Sequence, residues 1–254
     1  MPEGVEVCLL TEKLQKFNNC KINSIKILGG RYSRHSNPTG WDELQFPLTI
    51  KSIKNHGKFI YFTLSTGFLF VTLGMKGKFN FHQKPIKHDN IQFTTSCGNF
   101  FFNDQRNFGT LQYILDPEIL TKKLDKLGFD PLTDNITPSE FIAHLGRFKE
   151  TMELCDLLLD QRFASGVGNY LRADIMYCAQ LNPKAKIGSL SITQMEKLRE
   201  CIFLVVKNSY QKQKCGDHYK FIIYKHTKSP KGNPVEHFKD KKGRTVWFVP
   251  KEQK

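Results

Sequence analysis

A chain of 254 residues with 39% hydrophobic content is long enough to bury a substantial core, as one large domain or two small ones. Lys+Arg 38 against Asp+Glu 24 gives a formal net charge of +14, which points to a polyanionic partner, nucleic acid before anionic membrane. No apolar run approaches the ~20 residues of a membrane span, and the amino terminus lacks a signal-peptide pattern. Seven cysteines without a CxxC pair suggest reduced thiols in an intracellular protein.

Residues 4–17 read as one amphipathic helix, with Val5, Cys8, Leu9, Leu10 and Leu14 on or near one face. From Lys21 to about Leu115 the texture turns to β. The runs 22–28, 48–54, 59–64, 68–73, 79–82, 91–95 and 99–103 are short, rich in Phe, Ile and Thr, and broken by Gly, Asn, Pro or Ser. Ser65-Thr66-Gly67 and Cys97-Gly98 read as hairpin turns. Strands at this spacing predict a sandwich or barrel rather than a parallel sheet.

Residues 116–134 form a transition, with a short helix through Leu124 and then Gly128-Phe129-Asp130-Pro131. Thr137-Pro138-Ser139-Glu140 combines an N-cap, a first-turn proline and a capping-box glutamate. Helices are predicted over 139–145, 151–159, 170–180 and 193–211. Beyond Cys215 the composition shifts again: 218–224 is strand-like, 225–240 polar and basic, and 245–249 strand-like. That reads as a basic β-hairpin appended to a helical domain.

The stretch LLLDQRFASGVGNYLRADIMYCAQLNP, residues 157–183, is apolar with helical spacing at both ends. Ser165-Gly166-Val167-Gly168-Asn169 between them is too glycine-rich to continue either helix. The pattern is helix, tight turn, helix. Backbone N–H groups at the start of the second helix suit an anion such as a nucleic-acid phosphate. An ordinary helical hairpin would show the same residues.

Other residues could carry chemistry. Removal of Met1 would leave Pro2 as a secondary amine, a nucleophile toward carbonyl-like carbon. Glu3 beside it could serve as a general acid, although proline and glutamate are also ordinary in a first helical turn. Lys58 follows a glycine at the start of a strand. Met75, Arg106 and Phe108 sit in glycine-bearing loops and suit a wedge in a base stack, or a plain hairpin. Arg244 in Lys242-Gly243-Arg244-Thr245 could grip a phosphate or cap a solvated turn.

Taken together, MPEGVE, HGK, LGMKG, DQRNFG, LLDQRFASGVGNYLRAD and GRTVWF, in that order over essentially the whole chain, resemble the formamidopyrimidine-DNA glycosylase and endonuclease VIII family. The likeness is greatest to the eukaryotic-type endonuclease VIII-like branch. The resemblance implies an α+β fold. An N-terminal antiparallel β-sandwich with flanking helices occupies 1–125, and a linker 126–135. A helix–two-turn–helix domain occupies 136–215 and a β-hairpin finger 216–254, with DNA in a basic cleft between domains.

It also implies roles. Pro2 attacks C1′ of a damaged nucleotide, Glu3 helps open the deoxyribose, Glu6 supports the site, and Lys58 contacts a nearby phosphate. Asn169 and Arg244 pin the backbone, with Gly168 and Tyr170 beside Asn169 in the DNA-binding turn. Met75, Arg106 and Phe108 fill the vacated duplex. The reaction implied is base excision followed by β,δ-elimination through a proline Schiff base, without a cofactor. The partner is double-stranded DNA carrying oxidised bases or abasic sites, with single-stranded DNA left open. The protein would be a monomer in a nucleus or other DNA-containing compartment.

The sequence departs from the family in places. Val249 and Glu252 stand where bacterial relatives have the second cysteine pair of a zinc finger, so the finger is expected to be zincless, held by strand pairing and by Trp247 and Phe248. The spacing of Cys215, His218, His226 and His237 matches no zinc pattern, so no metal is expected. Asn107 stands where many relatives have a second Arg, Val5 where many have Pro, and Asp174 where Glu is usual. The short connection around 211–219 favours oxidised pyrimidines, formamidopyrimidines and hydantoins over 8-oxoguanine. Two rivals remain: a non-catalytic damaged-DNA-binding relic of the family, and a basic RNA- or ribosome-associated protein.

Overall fold

The computed structural model describes residues 2–254, so the expected removal of Met1 concerns a residue outside the described ones. The chain divides into two compact units, Met1–Lys126 and Leu127–Lys254.

In the first unit, α1 (Gly4–Leu14) continues through a 3-10 turn, Gln15–Phe17. Eight strands follow: β1 (Lys21–Ile27), β2 (Leu48–His56), β3 (Phe59–Leu64), β4 (Phe68–Thr72), β5 (Lys78–Asn80), β6 (Asp89–Thr95), β7 (Gly98–Asn103) and β8 (Thr110–Ile114). Their order is β5-β7-β6-β1-β2-β3-β4-β8, with every neighbouring pair antiparallel. β1 and β2 share only the pairs Lys21 with Thr49 and Ile22 with Leu48. Register shifts at Ile22/Ser24 and Ile50/Ser52 follow directly. Such irregularities bend strands, and here they turn one sheet into two four-stranded layers. The result is the expected β-sandwich. It holds one strand more than the named runs, β8, and a short helix α2 (Arg31–Arg34) that the sequence did not announce.

Phenylalanine fills the space between the layers. Phe62 of β3 stacks on Phe100 of β7 at 6.2 Å, and Phe100 stacks on Phe93 at 4.4 Å. Phe79 meets Phe62, Phe93, Phe100 and Phe102 edge-on. Rings at these separations and angles interlock at crystal-like density. α1 packs against β2 and β3, and its Val7 and Leu14 enter the same core. The 3-10 turn adds Phe17, whose ring lies 4.7 Å from that of Phe100. The helix that carries the amino terminus is thus fixed to the sandwich by buried apolar residues. A further helix, α3 (Pro117–Asp125), closes the unit, capped by Asp116.

The second unit contains α4 (Pro138–Leu145), α5 (Leu154–Leu157), α6 (Asn169–Ala179), α7 (Ile192–Lys214) and a hairpin, β9 (Glu236–Lys239) with β10 (Thr245–Phe248). The predicted capping box is present: Thr137 N–H donates to Glu140 Oε2 at 2.7 Å and Glu140 N–H to Thr137 Oγ1 at 3.3 Å. Ser191 and Gln194 form a second at the start of α7.

Three expectations are corrected here. Residues 151–159 are not one helix, because Leu154 and Cys155 N–H donate to the Ala185 and Pro183 carbonyls and Glu153 bridges Lys186. Only Leu154–Leu157 is helical, and 158–168 is a series of turns. Residues 218–224 form no strand, because their amides answer to the Asp174 carboxylate instead. Four thiols are not reduced: Cys20 pairs with Cys97 and Cys178 with Cys201, with Cα atoms 5.8 and 5.7 Å apart. Cys155 is buried and Cys215 exposed, and neither belongs to these two pairs.

The core makes a stability prediction. Phe100 is fully buried and touches rings from both layers and the 3-10 turn. Phe100→Ala should lower the unfolding free energy by about 3–5 kcal/mol, read as a lower urea midpoint; an unchanged midpoint would show that the layers are not joined there.

Candidate active site and nucleic-acid interface

The amino terminus is organised by a reciprocal cap. Glu3 is the N-cap of α1 and is buried, while Glu6 lies in the first turn. Glu3 N–H donates to Glu6 Oε2 at 2.8 Å, and the Glu3 carboxylate receives the Glu6 N–H in return. Both carboxylates thus sit at the amino-terminal end of α1, where they answer backbone N–H groups of the first turn. Pro2, half-buried, directly precedes this pair. Lys58, also half-buried, lies in the turn between β2 and β3, the two strands on which α1 rests. One helix and one hairpin therefore hold Pro2, Glu3, Glu6 and Lys58 in a single unit.

Met75, Arg106 and Phe108 lie on two adjoining loops of that unit. Gly74 has φ of 56°, and a Cβ there would lie 2.6 Å from the Phe108 carbonyl carbon. The β4–β5 and β7–β8 loops therefore touch backbone to backbone, which only glycine permits. Buried Asp104 shapes the second loop by accepting Arg106 N–H at 3.1 Å and Gly109 N–H at 2.6 Å. The tips project: Met75 is 37% and Phe108 55% exposed, with the Arg106 guanidinium 5.5 Å from the Phe108 ring centre. Asn107 does not project. Its Oδ1 accepts Arg31 N–H at 3.1 Å and Asn90 Nδ2–H at 3.2 Å, tying the loop inward to α2 and β6. Asn tolerates the φ of 56° that this needs.

In the second unit the glycine turn is built around Gln161. Its Nε2 donates to Val167 O at 2.9 Å and its Oε1 accepts Gly166 N–H at 3.0 Å. Gly166 has φ of 95°, a value that excludes side chains at little cost only in glycine. Gly168 is the N-cap of α6 and Asn169 its first residue. Tyr170 is buried beneath an aromatic shelf, with the rings of Phe221, Tyr219 and Tyr224 at 5.0, 6.0 and 6.4 Å.

The structure brings Asn169 and Arg244 to one place through residues the sequence reading missed. Arg172, one turn into α6, is fully buried. Its Nη1 donates to Asp240 Oδ2 at 2.9 Å and to Cys155 O at 3.1 Å, and its Nη2 to Thr245 O at 3.2 Å and to Asn169 Oδ1. Asn169 Nδ2 donates to Thr245 O at 3.1 Å. Asp240 Oδ1 accepts the N–H groups of Lys242 and Arg244 at 2.9 and 2.8 Å, closing the hairpin turn from which Arg244 extends into solvent. Burial works to raise the Asp240 carboxyl, but the Arg172 guanidinium and the turn amides outweigh it and hold it below its usual range. Only the inward spacing Asn169–Arg172 hinted at this, since residues three apart share a helix face.

Asp174 faces the other way. It accepts Ile222 N–H at 2.9 Å, Ile223 N–H at 3.0 Å and the Tyr219 hydroxyl at 3.1 Å, so it anchors the segment between α7 and the hairpin. Burial raises its carboxyl against those donors.

Comparison with known proteins gives concordant matches. A family model described as the formamidopyrimidine-DNA glycosylase N-terminal domain matches residues 1–111. A second, described as the formamidopyrimidine-DNA glycosylase H2TH domain, matches residues 127–219. The formamidopyrimidine-DNA glycosylase of Exiguobacterium sp. is 30% identical over 205 residues, which is 78% of this chain and 74% of that protein. That of Shewanella oneidensis is 32% identical over 154 residues, 59% of this chain and 56% of that protein. The fold is similar to that of the Lactococcus lactis enzyme in complex with a THF-DNA and an inhibitor: TM-score 0.87, 24% identity, all of both chains covered. The same enzyme in complex with an oxidized pyrimidine containing DNA superposes with TM-score 0.86, also at 24% identity over all of both chains.

The hairpin lies beyond the second matched segment. Among the described residues no group of three or more His, Cys, Asp or Glu is placed to hold a metal ion. The hairpin is tied down by Val249 and Ile223 against Ala173, with Tyr177, Tyr224 and Trp247 around them. Phe248 packs edge-on against Phe238 across the strands. Glu252 completes the tie: its carboxylate accepts from Ser229 Oγ at 2.5 Å, Asn233 Nδ2 at 2.8 Å and the Tyr177 hydroxyl at 2.8 Å. These bonds, Ser229 foremost and Asn233 next, lower the Glu252 carboxyl to about 2. An unfolded glutamate titrates near about 4.3, so the carboxylate stabilises the fold above that pH and loses its effect as pH falls toward 2. The Tm difference between wild type and Glu252→Gln should therefore be widest above about pH 5 and shrink toward pH 3. A difference that stays constant from pH 6 to pH 3 would contradict this role.

Proposed function

This chain belongs to the formamidopyrimidine-DNA glycosylase and endonuclease VIII family of base-excision-repair DNA glycosylases, and we propose that it excises oxidised bases, mainly pyrimidines, through its amino-terminal proline. The observation that carries this reading is Pro2 set directly before the Glu3–Glu6 cap, on a helix anchored to the sandwich core. With Met1 gone, the Pro2 nitrogen is a secondary amine whose lone pair attacks C1′ as the base departs with a proton. Glu3 serves as the acid that opens the deoxyribose ring. The product is a protonated Schiff base, an electron sink made from the chain's own amine. Loss of the C2′ proton expels the 3′ phosphate, and a second elimination expels the 5′ phosphate. Glu6 holds the Glu3 backbone, and Lys58 neutralises a phosphate close to the reacting sugar.

The rest of the chain supplies grip and extrusion. Asn169, at the N-terminus of α6 after Gly168, and Arg244 at the hairpin tip bind phosphates, where a helix dipole and a guanidinium favour negative charge. Tyr170, next to Asn169 in the chain, packs against the aromatic shelf. Met75, Arg106 and Phe108 enter the stack left by the extruded nucleotide, a task suited to exposed apolar tips on loops braced by Gly74 and Asp104. The finger works without zinc, its hairpin held by Glu252 and the Trp247 cluster. Preference for pyrimidines rests on the connection after α7. Only residues 215–221 separate the end of that helix from the amides held by Asp174, too little chain for a long cover over a purine. The partner is duplex DNA containing oxidised bases or abasic sites, bound by a monomer.

Borohydride trapping on a duplex containing thymine glycol tests the nucleophile. Mass spectrometry of the cross-linked peptide should find the DNA on Pro2 at a new amino terminus. An adduct on a lysine would discard Pro2, and folded protein that binds the duplex without an adduct would favour a non-catalytic damage-binding role. Arg244→Ala should weaken binding to all duplexes and reduce the slope of log K against log salt by about 1. An unchanged slope would remove Arg244 from the phosphate grip.

A further inference from the structure

We propose that the buried pair Arg172–Asp240 is the positioning element of the phosphate grip, setting Asn169 and Arg244 together as one unit. The proposal rests on the grip assigned to those two residues above. It does not depend on which lesion is removed.

Arg172 has donors only, so whatever group faces it must be an acceptor. That requirement fixes the Asn169 amide with Oδ1 toward the guanidinium. Nδ2 must then point the other way, where one hydrogen reaches Thr245 O and the second is left for a phosphate oxygen. An amide turned end for end would present its oxygen to the DNA, and an acceptor would meet an anionic acceptor with no hydrogen between them. The orientation of Asn169 is thus imposed from inside the protein.

The opposite end of the same guanidinium holds Asp240 Oδ2, with both side chains 1% exposed. The other carboxylate oxygen is spent on the amides of Lys242 and Arg244. Asp240 therefore fixes the turn geometry and the point from which the Arg244 side chain leaves the hairpin. Thr245 O, shared by Arg172 and Asn169, closes the circuit between helix and hairpin. A hydrophobic pair could fill the same volume, and buried ion pairs are seldom retained for stability alone. What the ion pair adds is direction: a planar fork that addresses Asn169, Thr245 and Asp240 at once, which a lysine cannot reproduce.

The test is a pair of double-mutant cycles, read as binding to a duplex carrying an abasic-site analogue and to its undamaged counterpart, over a range of salt. Arg172→Lys is combined with Asn169→Ala, and Asp240→Asn with Arg244→Ala, each variant first checked for folding by circular dichroism. The expected result is that Arg172→Lys weakens binding by about tenfold and lowers the salt slope by about 1. Asn169→Ala should cost a similar factor in wild type but less than about twofold once Arg172 is lysine. Asp240→Asn and Arg244→Ala should show the same redundancy, so one arm stands if a variant of the other fails to fold.

Multiplying losses in a folded set, or Arg172→Lys binding like wild type, would overturn the proposal. So would Asn169→Ala and Arg244→Ala that bind like wild type. If wild type does not prefer the abasic duplex, the repair reading fails, while the cycles still report on the undamaged duplex whether the pair positions the grip.

Discussion

A fully buried guanidinium is a severe constraint, because its charge and all its donors must be answered by protein. The two terminal nitrogens of Arg172 meet it with one carboxylate, one side-chain amide and two backbone carbonyls, drawn from α5, α6 and the hairpin. Those elements lie far apart in sequence and cannot move independently without exposing an unpaired charge. The glycine turn before α6 and the hairpin turn at Asp240 are therefore parts of one surface. Asp174, two residues along the same helix and on another face, imposes a similar order, collecting the segment after α7 by its backbone amides. The polar centre of the second unit thus does the organising that apolar packing does in the first.

The first unit depends on a different device. Its sandwich is closed by interlocked Phe rings, and α1 is held to the sandwich by residues on its inner face. Rigid support leaves the amino-terminal residues at a fixed place while the loops at Met75 and Phe108 project from the same scaffold. Those loops are rigid at the base and exposed at the tip. The close approach at Gly74 and the two amides on Asp104 account for the first property, and the sequence of the tips for the second. Asn107 is an inward brace, and Arg106 is the only guanidinium between Asp104 and Gly109.

Much of this was legible in the sequence where the signal is local. Short Phe-rich runs marked the strands, Thr137 and Glu140 marked a helix start, and the glycines around Val167 marked the turn before α6. The signal failed where a distant residue decides. The run 218–224 has strand composition, but Asp174 takes its amides, and 151–153 has helical spacing, but pairing with the segment at Lys186 straightens it. Cys20 and Cys97 are 77 residues apart, and nothing local announces that they meet. Arg172 and Asp240 look like ordinary surface charges on a helix and in a basic turn. Their burial depends on each other, and a linear pattern does not show it.

The central claim is that the amine of Pro2 carries both base removal and strand cleavage. Analysis of both new ends of a strand containing a single 5-hydroxyuracil tests it most directly, with the ends identified by mass and by phosphatase sensitivity. The account predicts a one-nucleotide gap with phosphate on both sides. An intact sugar–phosphate backbone with the base removed would contradict it, because excision would then proceed by water attack without a Schiff base.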